Sequence, residues 1–600
     1  MGSIGKASGI PGDELGTMPE WDLSDLYPAP GSAELEADLK TAGDLAEDIQ
    51  RRCQGRLADM SGEEFGRAIV DYERLSELIG RLLSYAQLLY AANVSDPERG
   101  RFYQDLQERV TDLSTKTVFF TLEINRLDEA TLAAKLASPA VAHYRPWLRD
   151  LRVFRDHQLP DDLEQLLHER EVVGRSAWVR LFDETMAELR FPVGGEQLTS
   201  AQTLHLLSDK NPDKRKSAAA ALGTVLGQNI RVFSLITNTL IKEKEIDDKW
   251  RCYPRATSYR NLSNQVEDEV VDALVQAVQD SYGLLSHRYY RLKAKWFGVE
   301  QLDHWDRNAP LPEDDDRRRR WDEAKDIVLD AYRAFSPELA DIGARFFADG
   351  WIDAPARPGK SPGAFAHPTV PSAHPYLLLN FLGKTRDVMT VAHELGHGVH
   401  QVLAAGQGQL MAGAPLTLAE TASVFGEMLT FRALLDSERD PARRRVMLAS
   451  KVEDMLNTVV RQVAFYEFER QIHQERRKGE LASGRIGEIW LDIQRQSLGP
   501  AMRFDADYQH YWAYIPHFVH SPFYVYAYAF GDCLVNSLYD AYRAGQPGFE
   551  RKYIEMLRAG GTLRHKELLA PFGLDASDPA FWRRGLGIVA GFIDELEALS

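Results

Sequence analysis

His393-Glu394-Leu395-Gly396-His397 is the stretch on which the reading of this 600-residue chain turns. On a helix, residues four apart share a face, so both imidazoles reach one metal ion. The Glu between them is then placed to act on a water at that metal, which implies hydrolytic chemistry. Around the motif, Val388, Val391, Ala392, Leu395 and Val399 form an apolar stripe, with Asp387 as a candidate N-cap and Gly406 as a candidate stop. Gly396 costs about 1 kcal/mol in a helix interior, which points to a close approach by other backbone.

A catalytic zinc takes three protein ligands and keeps one position open for water. The third ligand is expected from a later helix, and Glu420 lies 23 residues beyond His397. Two alternatives stand against it. Thr417-x-x-Glu420 also reads as a capping box, and Glu427 sits seven residues on, on the same helical face. Spacing favours Glu420 as the ligand, with Glu427 orienting a histidine. His400 is expected to orient or pack, because a fourth ligand would close the open position.

Outward from the motif, residues 1–20 read as a flexible leader, 21–200 as an N-terminal helical region and 201–600 as a helical catalytic region. From about 32 to 250, apolar residues recur at three and four, as with Leu75, Leu78 and Leu82. Residues 264–297 read as one long helix. Asp314-Asp315-Asp316 followed by Arg317 through Arg320 reads as a solvated helix start. Gly and Pro then become frequent from 350 to 384, around a β-like run, Tyr376-Leu377-Leu378-Leu379-Asn380-Phe381. The exposed edge of such a strand would pair with an extended peptide, making Tyr376, Leu378 and Asn380 candidate substrate-binding residues.

Aromatic residues crowd between Phe504 and Phe530. Buried tyrosines need partners for their hydroxyls, and an oxyanion needs donors. His517, Tyr524, Tyr526 and Tyr528 are therefore candidate transition-state donors. On a helix, Tyr524 and Tyr528 would share a face while Tyr526 turned away.

The net charge of −18 argues against a nucleic-acid partner. Three widely spaced cysteines suit neither a disulfide framework nor a cysteine zinc site, and they suggest a reducing, cytoplasmic setting. No signal peptide or membrane span is expected.

In order along the chain stand Trp21 to Pro28, His374 to Phe381, Asp387-Val388 before the motif, Glu420-Thr421-Ala422-Ser423, and Ile515-Pro516-His517-Phe518 leading to Phe523-Tyr524-Val525-Tyr526. This ordered set resembles oligoendopeptidase F and its thimet-type oligopeptidase relatives. The resemblance implies His393, His397 and Glu420 as ligands of one zinc ion per chain, Glu394 as general base, and His517 with the following tyrosines as transition-state donors. It favours Glu420 over Glu427. It implies a mainly α, two-lobed helical zincin body with a deep substrate channel and a small β-sheet beside the zinc helix. The implied activity is endopeptidase cleavage of short unfolded oligopeptides. Alternatives are a metallocarboxypeptidase, which would need an Arg or Lys to hold the terminal carboxylate, and a non-catalytic peptide-binding protein with a vestigial zinc site.

Overall fold

The computed structural model describes residues 14–311 and 317–599. The chain is mainly helical, with a few short strands in small sheets. It divides into two compact units, each drawn from three separate stretches. The first holds Met1–Arg155, Asp316–Ser437 and Gln546–Phe572; the second holds Asp156–Asp315, Glu438–Gly545 and Gly573–Ser600. Neither unit coincides with a continuous segment such as 21–200 or 201–600.

In the first unit, order begins before Trp21. Leu15 is buried and its carbonyl accepts from Trp321 N–H, while the Pro19 carbonyl accepts from Ala354 N–H. These contacts correct the reading of 14–20 as flexible; residues 1–13 lie outside the described residues. Helices Ala33–Cys53 and Gly62–Ala91 then pack around Ala46, Ile49, Phe65, Ile69 and Phe120. Ser61 and Glu64 cap the second reciprocally, which satisfies two of its free N–H groups.

The run Tyr376–Phe381 is a strand, but it lies at the centre of its sheet. Ile352–Pro355 pairs with it in parallel and Phe365–His367 pairs with it antiparallel. Both of its sides are taken, so it has no edge to offer a peptide. The three residues expected on that edge are engaged with the protein itself. The Tyr376 hydroxyl donates to the Asp22 carbonyl at 2.8 Å, Leu378 is fully buried, and Asn380 Nδ2 donates to the Ser361 and Gly363 carbonyls. The edge strands are Ile352–Pro355, whose Ala354 N–H is taken by the Pro19 carbonyl, and Phe365–His367.

In the second unit the longest helix is Pro212–Trp250. Its mean hydropathy reaches 1.3, enough by length and composition to cross a membrane, yet it buries Ala218, Leu222, Leu226, Phe233 and Ile236 against its own unit. The stretch 264–297 is two helices, Asp268–Asp280 and Ser286–Trp296. Between them Leu284 and Leu285 turn their N–H groups onto the Ser281 carbonyl, and His287 N–H reaches back to Tyr282. Gly283, a poor helix former, sits in that break. Of the charge block, 314–316 lie outside the described residues. Arg320 occupies the N-cap position of helix Trp321–Phe335, and Arg319 is buried rather than solvated, its N–H donating to Gly383.

Candidate active site

The motif lies on helix Thr385–Ala404. Asp387 is at the third helical position, not the N-cap: its Oδ2 accepts from the N–H groups of Lys384 and Leu382. Val388, Val391, Ala392, Leu395 and Val399 are fully buried, as the stripe implies. The chain leaves the helix through a 3-10 turn at Ala405–Gln407, and Gly408 at φ +85°, rather than Gly406, supplies the left-handed residue.

Gly396 is where helix Thr421–Ser437 comes closest. A Cβ there would lie 2.5 Å from the Ala422 carbonyl oxygen and 2.6 Å from Ser423 Cα. That approach brings Glu420 over the motif. Its Oε2 lies 3.4 Å from His393 Nε2 and 3.5 Å from His397 Nε2. Glu420 closes the short helix Leu416–Ala419, whose N-cap is Pro415, so no Thr417–Glu420 capping box forms. A tetrahedral zinc with bonds of about 2.0–2.2 Å holds its ligand atoms about 3.3–3.6 Å apart, and these two spacings match. Two imidazoles and one carboxylate, with donor atoms all within 4.8 Å, fit a divalent metal with a position left open.

The surrounding groups orient each ligand. Glu427 Oε2 lies 3.3 Å from His393 Nδ1, and the Ala419 carbonyl bonds His397. Ser423 Oγ donates to Glu420 Oε2 at 2.6 Å. His400 turns to the Leu557 carbonyl and packs; burial pushes its pKa down to about 4. Burial likewise pushes His397 down to about 4, against the pull of Glu420, which keeps the imidazole neutral as a ligand must be. At His393 burial also opposes the charge, but the Glu427 hydrogen bond and the Glu420 and Glu394 carboxylates outweigh it and move the pKa up.

Glu394 is buried, and desolvation raises its pKa to about 7, with His393 pulling down and Glu420 pushing up. The Ala366 N–H bonds to Glu394 and so turns away from the central strand. This contact ties the edge strand Phe365–His367 to the motif. It was invisible in the sequence because it is made by backbone. Ser423 was readable only as part of the Glu420-Thr421-Ala422-Ser423 string.

In the second unit, His517–His520 is a short helix and Tyr526–Arg543 a long one. The Tyr528 hydroxyl lies 3.4 Å from His517 Nε2, and the Tyr524 and Tyr528 rings are 5.4 Å apart, so these three gather. Tyr526 does not join them. It is fully buried, accepts a 2.9 Å hydrogen bond from Asn264 Nδ2 and packs on Tyr466, which removes it as a donor to substrate. Phe523 holds φ +59°, a strained conformation for an aromatic residue. Its N–H donates to the buried Glu469 at 2.9 Å, and Arg260 Nε braces the Pro522 carbonyl. Arg260 also stands over the Tyr524 ring at 5.6 Å.

The model of peptidase family M3 matches residues 323–588, which include both clusters, and the oligopeptidase F model matches residues 123–191. The chain belongs to the oligoendopeptidase F family. It is an M3 peptidase. Oligopeptidase PepF of Bacillus subtilis is 27% identical over 610 residues, covering 99% of this chain and 89% of the relative. An oligoendopeptidase F homolog of Lactococcus lactis subsp. lactis is 27% identical over 594 residues, covering 96% and 97%. A solved structure from Chlamydophila abortus superposes with TM-score 0.88 at 22% identity over 97% of this chain and 98% of that one. Oligoendopeptidase-F from Enterococcus faecium gives 0.69 at 24% identity over 94% and 97%. The last two show that this M3 peptidase has their fold.

Proposed function

We propose that this M3 peptidase is a zinc-dependent endopeptidase of short, unfolded oligopeptides. The observation that carries the proposal is the meeting of His393, His397 and Glu420 at ligand spacing beside the buried Glu394. Zinc held by these three would polarise the scissile carbonyl and lower the pKa of a coordinated water toward about 7. Glu394, with its pKa raised to about 7, takes a proton from the attacking water and passes it to the leaving amine. Glu427 and the Ala419 carbonyl fix the two imidazoles, and Ser423 fixes Glu420. The edge strand Phe365–His367, tied to Glu394 through Ala366, offers main-chain groups to an extended peptide. His517 and Tyr528, with Tyr524 beside them, donate to the oxyanion; this role rests on the family resemblance and on their gathering in the second unit. The three unpaired cysteines suit a cytoplasmic enzyme.

Mass spectrometry of a peptide mixture tests the reading. Internal cleavage is expected with zinc and its loss with a chelator. Cleavage that survives complete metal removal would contradict it.

A further inference from the structure

The segment from His517 to Tyr524 is held by its main chain, and the groups that hold it come from distant parts of the second unit. Arg175 Nη2 donates to the Val519 carbonyl at 2.7 Å and to the His520 carbonyl at 3.0 Å. Arg260 Nε donates to the Pro522 carbonyl at 3.2 Å, and Glu469 Oε1 accepts from the Phe523 N–H at 2.9 Å. The carbonyls that close a helix lack partners within it, and Arg175 meets two of them at the end of the four-residue helix His517–His520. Bonds from a guanidinium are charge-assisted and stronger than those between neutral groups. Arg175 is itself fixed. It opens the helix Arg175–Glu188, its N–H bonds to Glu243 of the helix Pro212–Trp250, and Phe182 packs edge-on against Phe233 of that long helix at 5.9 Å. A further link, His520 Nε2 to Asp183 Oδ1 at 2.8 Å, joins two exposed side chains and holds little.

Phe523 gives the hold its purpose. Its φ of +59° puts an aromatic residue in the left-handed region, a conformation that persists only where the surroundings over-determine it. Pro522 C=O and Phe523 N–H are the two ends of one peptide unit, and Arg260 and Glu469 take one each. Rotating that unit would release the strain and move Tyr524 from its place, 6.2 Å from the His517 ring and 5.4 Å from the Tyr528 ring. Arg175 lies in the stretch matched by the oligopeptidase F model, and Arg260 lies between the two matched stretches. Neither falls within residues 323–588, which carry His517, Tyr524 and Tyr528. We propose that Arg175 and Arg260 are positioning residues for the reaction: through the Val519, His520 and Pro522 carbonyls they keep His517 and Tyr524 in place beside Tyr528 to donate to the oxyanion. The inference rests on the oxyanion-donor reading above and adds the part of the chain that keeps those donors in place.

The test uses Arg175→Met and Arg260→Met, which remove the donors and keep the aliphatic stem. Zinc-loaded enzyme is assayed with an internally quenched peptide. Each variant is expected to lower kcat about 10- to 100-fold with KM little changed, the order of loss that a misplacement of about 1 Å brings. Arg175→Lys and Arg260→Lys keep a charged donor and should recover part of that kcat; they replace the methionine variants if either fails to fold. Two double-mutant cycles separate positioning from a general structural role. In the His517→Ala background Arg175→Met should lower kcat less than about threefold, and Arg260→Met likewise in the Tyr524→Ala background, because the group each one positions is already gone. Losses that multiply in both cycles would overturn the proposal. So would full kcat in both methionine variants while His517→Ala is impaired. Full kcat in His517→Ala would instead contradict the donor reading, and the proposal with it.

Discussion

Gly396 and Ala422 meet backbone to backbone, with 2.5 Å between the Ala422 oxygen and the place a Cβ on Gly396 would take. The contact sets how closely helix Thr421–Ser437 approaches the motif helix, and with it the position of Glu420. Gly396→Ala is therefore expected to cost about 1–3 kcal/mol in stability through overpacking and to lower bound zinc. Thermal denaturation and metal analysis of the purified variant check both. A variant with full zinc content and an unchanged melting temperature would show the contact to be slack.

Glu427 Oε2 lies 3.3 Å from His393 Nδ1, on the far side of the ring from the Nε2 that faces Glu420. Glu427→Gln should weaken zinc binding about 10- to 100-fold in competition with a chromophoric chelator, while the saturated enzyme keeps most of its turnover. An unchanged affinity would mean that His393 needs no such partner.

Tyr526 and Tyr528 stand two positions apart and differ in role. Tyr526→Phe leaves Asn264 Nδ2 without its buried acceptor and should cost about 1–3 kcal/mol in stability with little change in kcat. Tyr528→Phe should leave stability nearly unchanged and lower kcat, because Tyr528 is exposed and lies beside His517. Denaturant curves and steady-state kinetics on both variants decide; a reversed pattern would remove Tyr528 from the mechanism.

Glu469, which holds the strained Phe523, is buried, and burial raises its pKa to about 8 against the pulls of the Phe523 N–H, Arg260 and Lys244. Between its ordinary value of 4.5 and about 8, the folded state binds a proton that the unfolded state has released. Its contribution to stability is thus full below that window and is lost as pH rises through it. Relative to Glu469→Gln, the wild type should lose stability across the window by at most about 1.4 kcal/mol per pH unit. Urea curves at several pH values measure the difference, and parallel pH profiles would show that Glu469 does not titrate there.

Much of the metal cluster was legible in side-chain spacing. Histidines four apart place two ligands, the apolar stripe places the helix, and Gly396 announces the close approach. Spacing alone separated Glu420 from Glu427 only weakly, because seven residues on one helix would put both on one face; in the fold Glu420 closes a short helix of its own and gathers with His393 and His397. The peptide edge was misplaced for a different reason. A run such as Tyr376–Phe381 shows that a strand exists but not how many neighbours it has, and the three-residue strand Phe365–His367 is too short to carry a periodic signal. Hydrogen bonds from Ala366 and Ala419 are made by backbone and leave no residue type to read. The alternation of tyrosines did indicate that Tyr526 faces away from Tyr524 and Tyr528, yet only the fold shows Asn264 waiting for it.

Glu394→Gln tests the central claim most directly, since it keeps the side chain's size and removes its basicity. Zinc content and turnover of an internally quenched peptide should be measured on the same preparation. The account predicts one zinc per chain with kcat lowered about 10²- to 10⁴-fold, the contribution of a positioned general base. Near-normal turnover with zinc in place would contradict it.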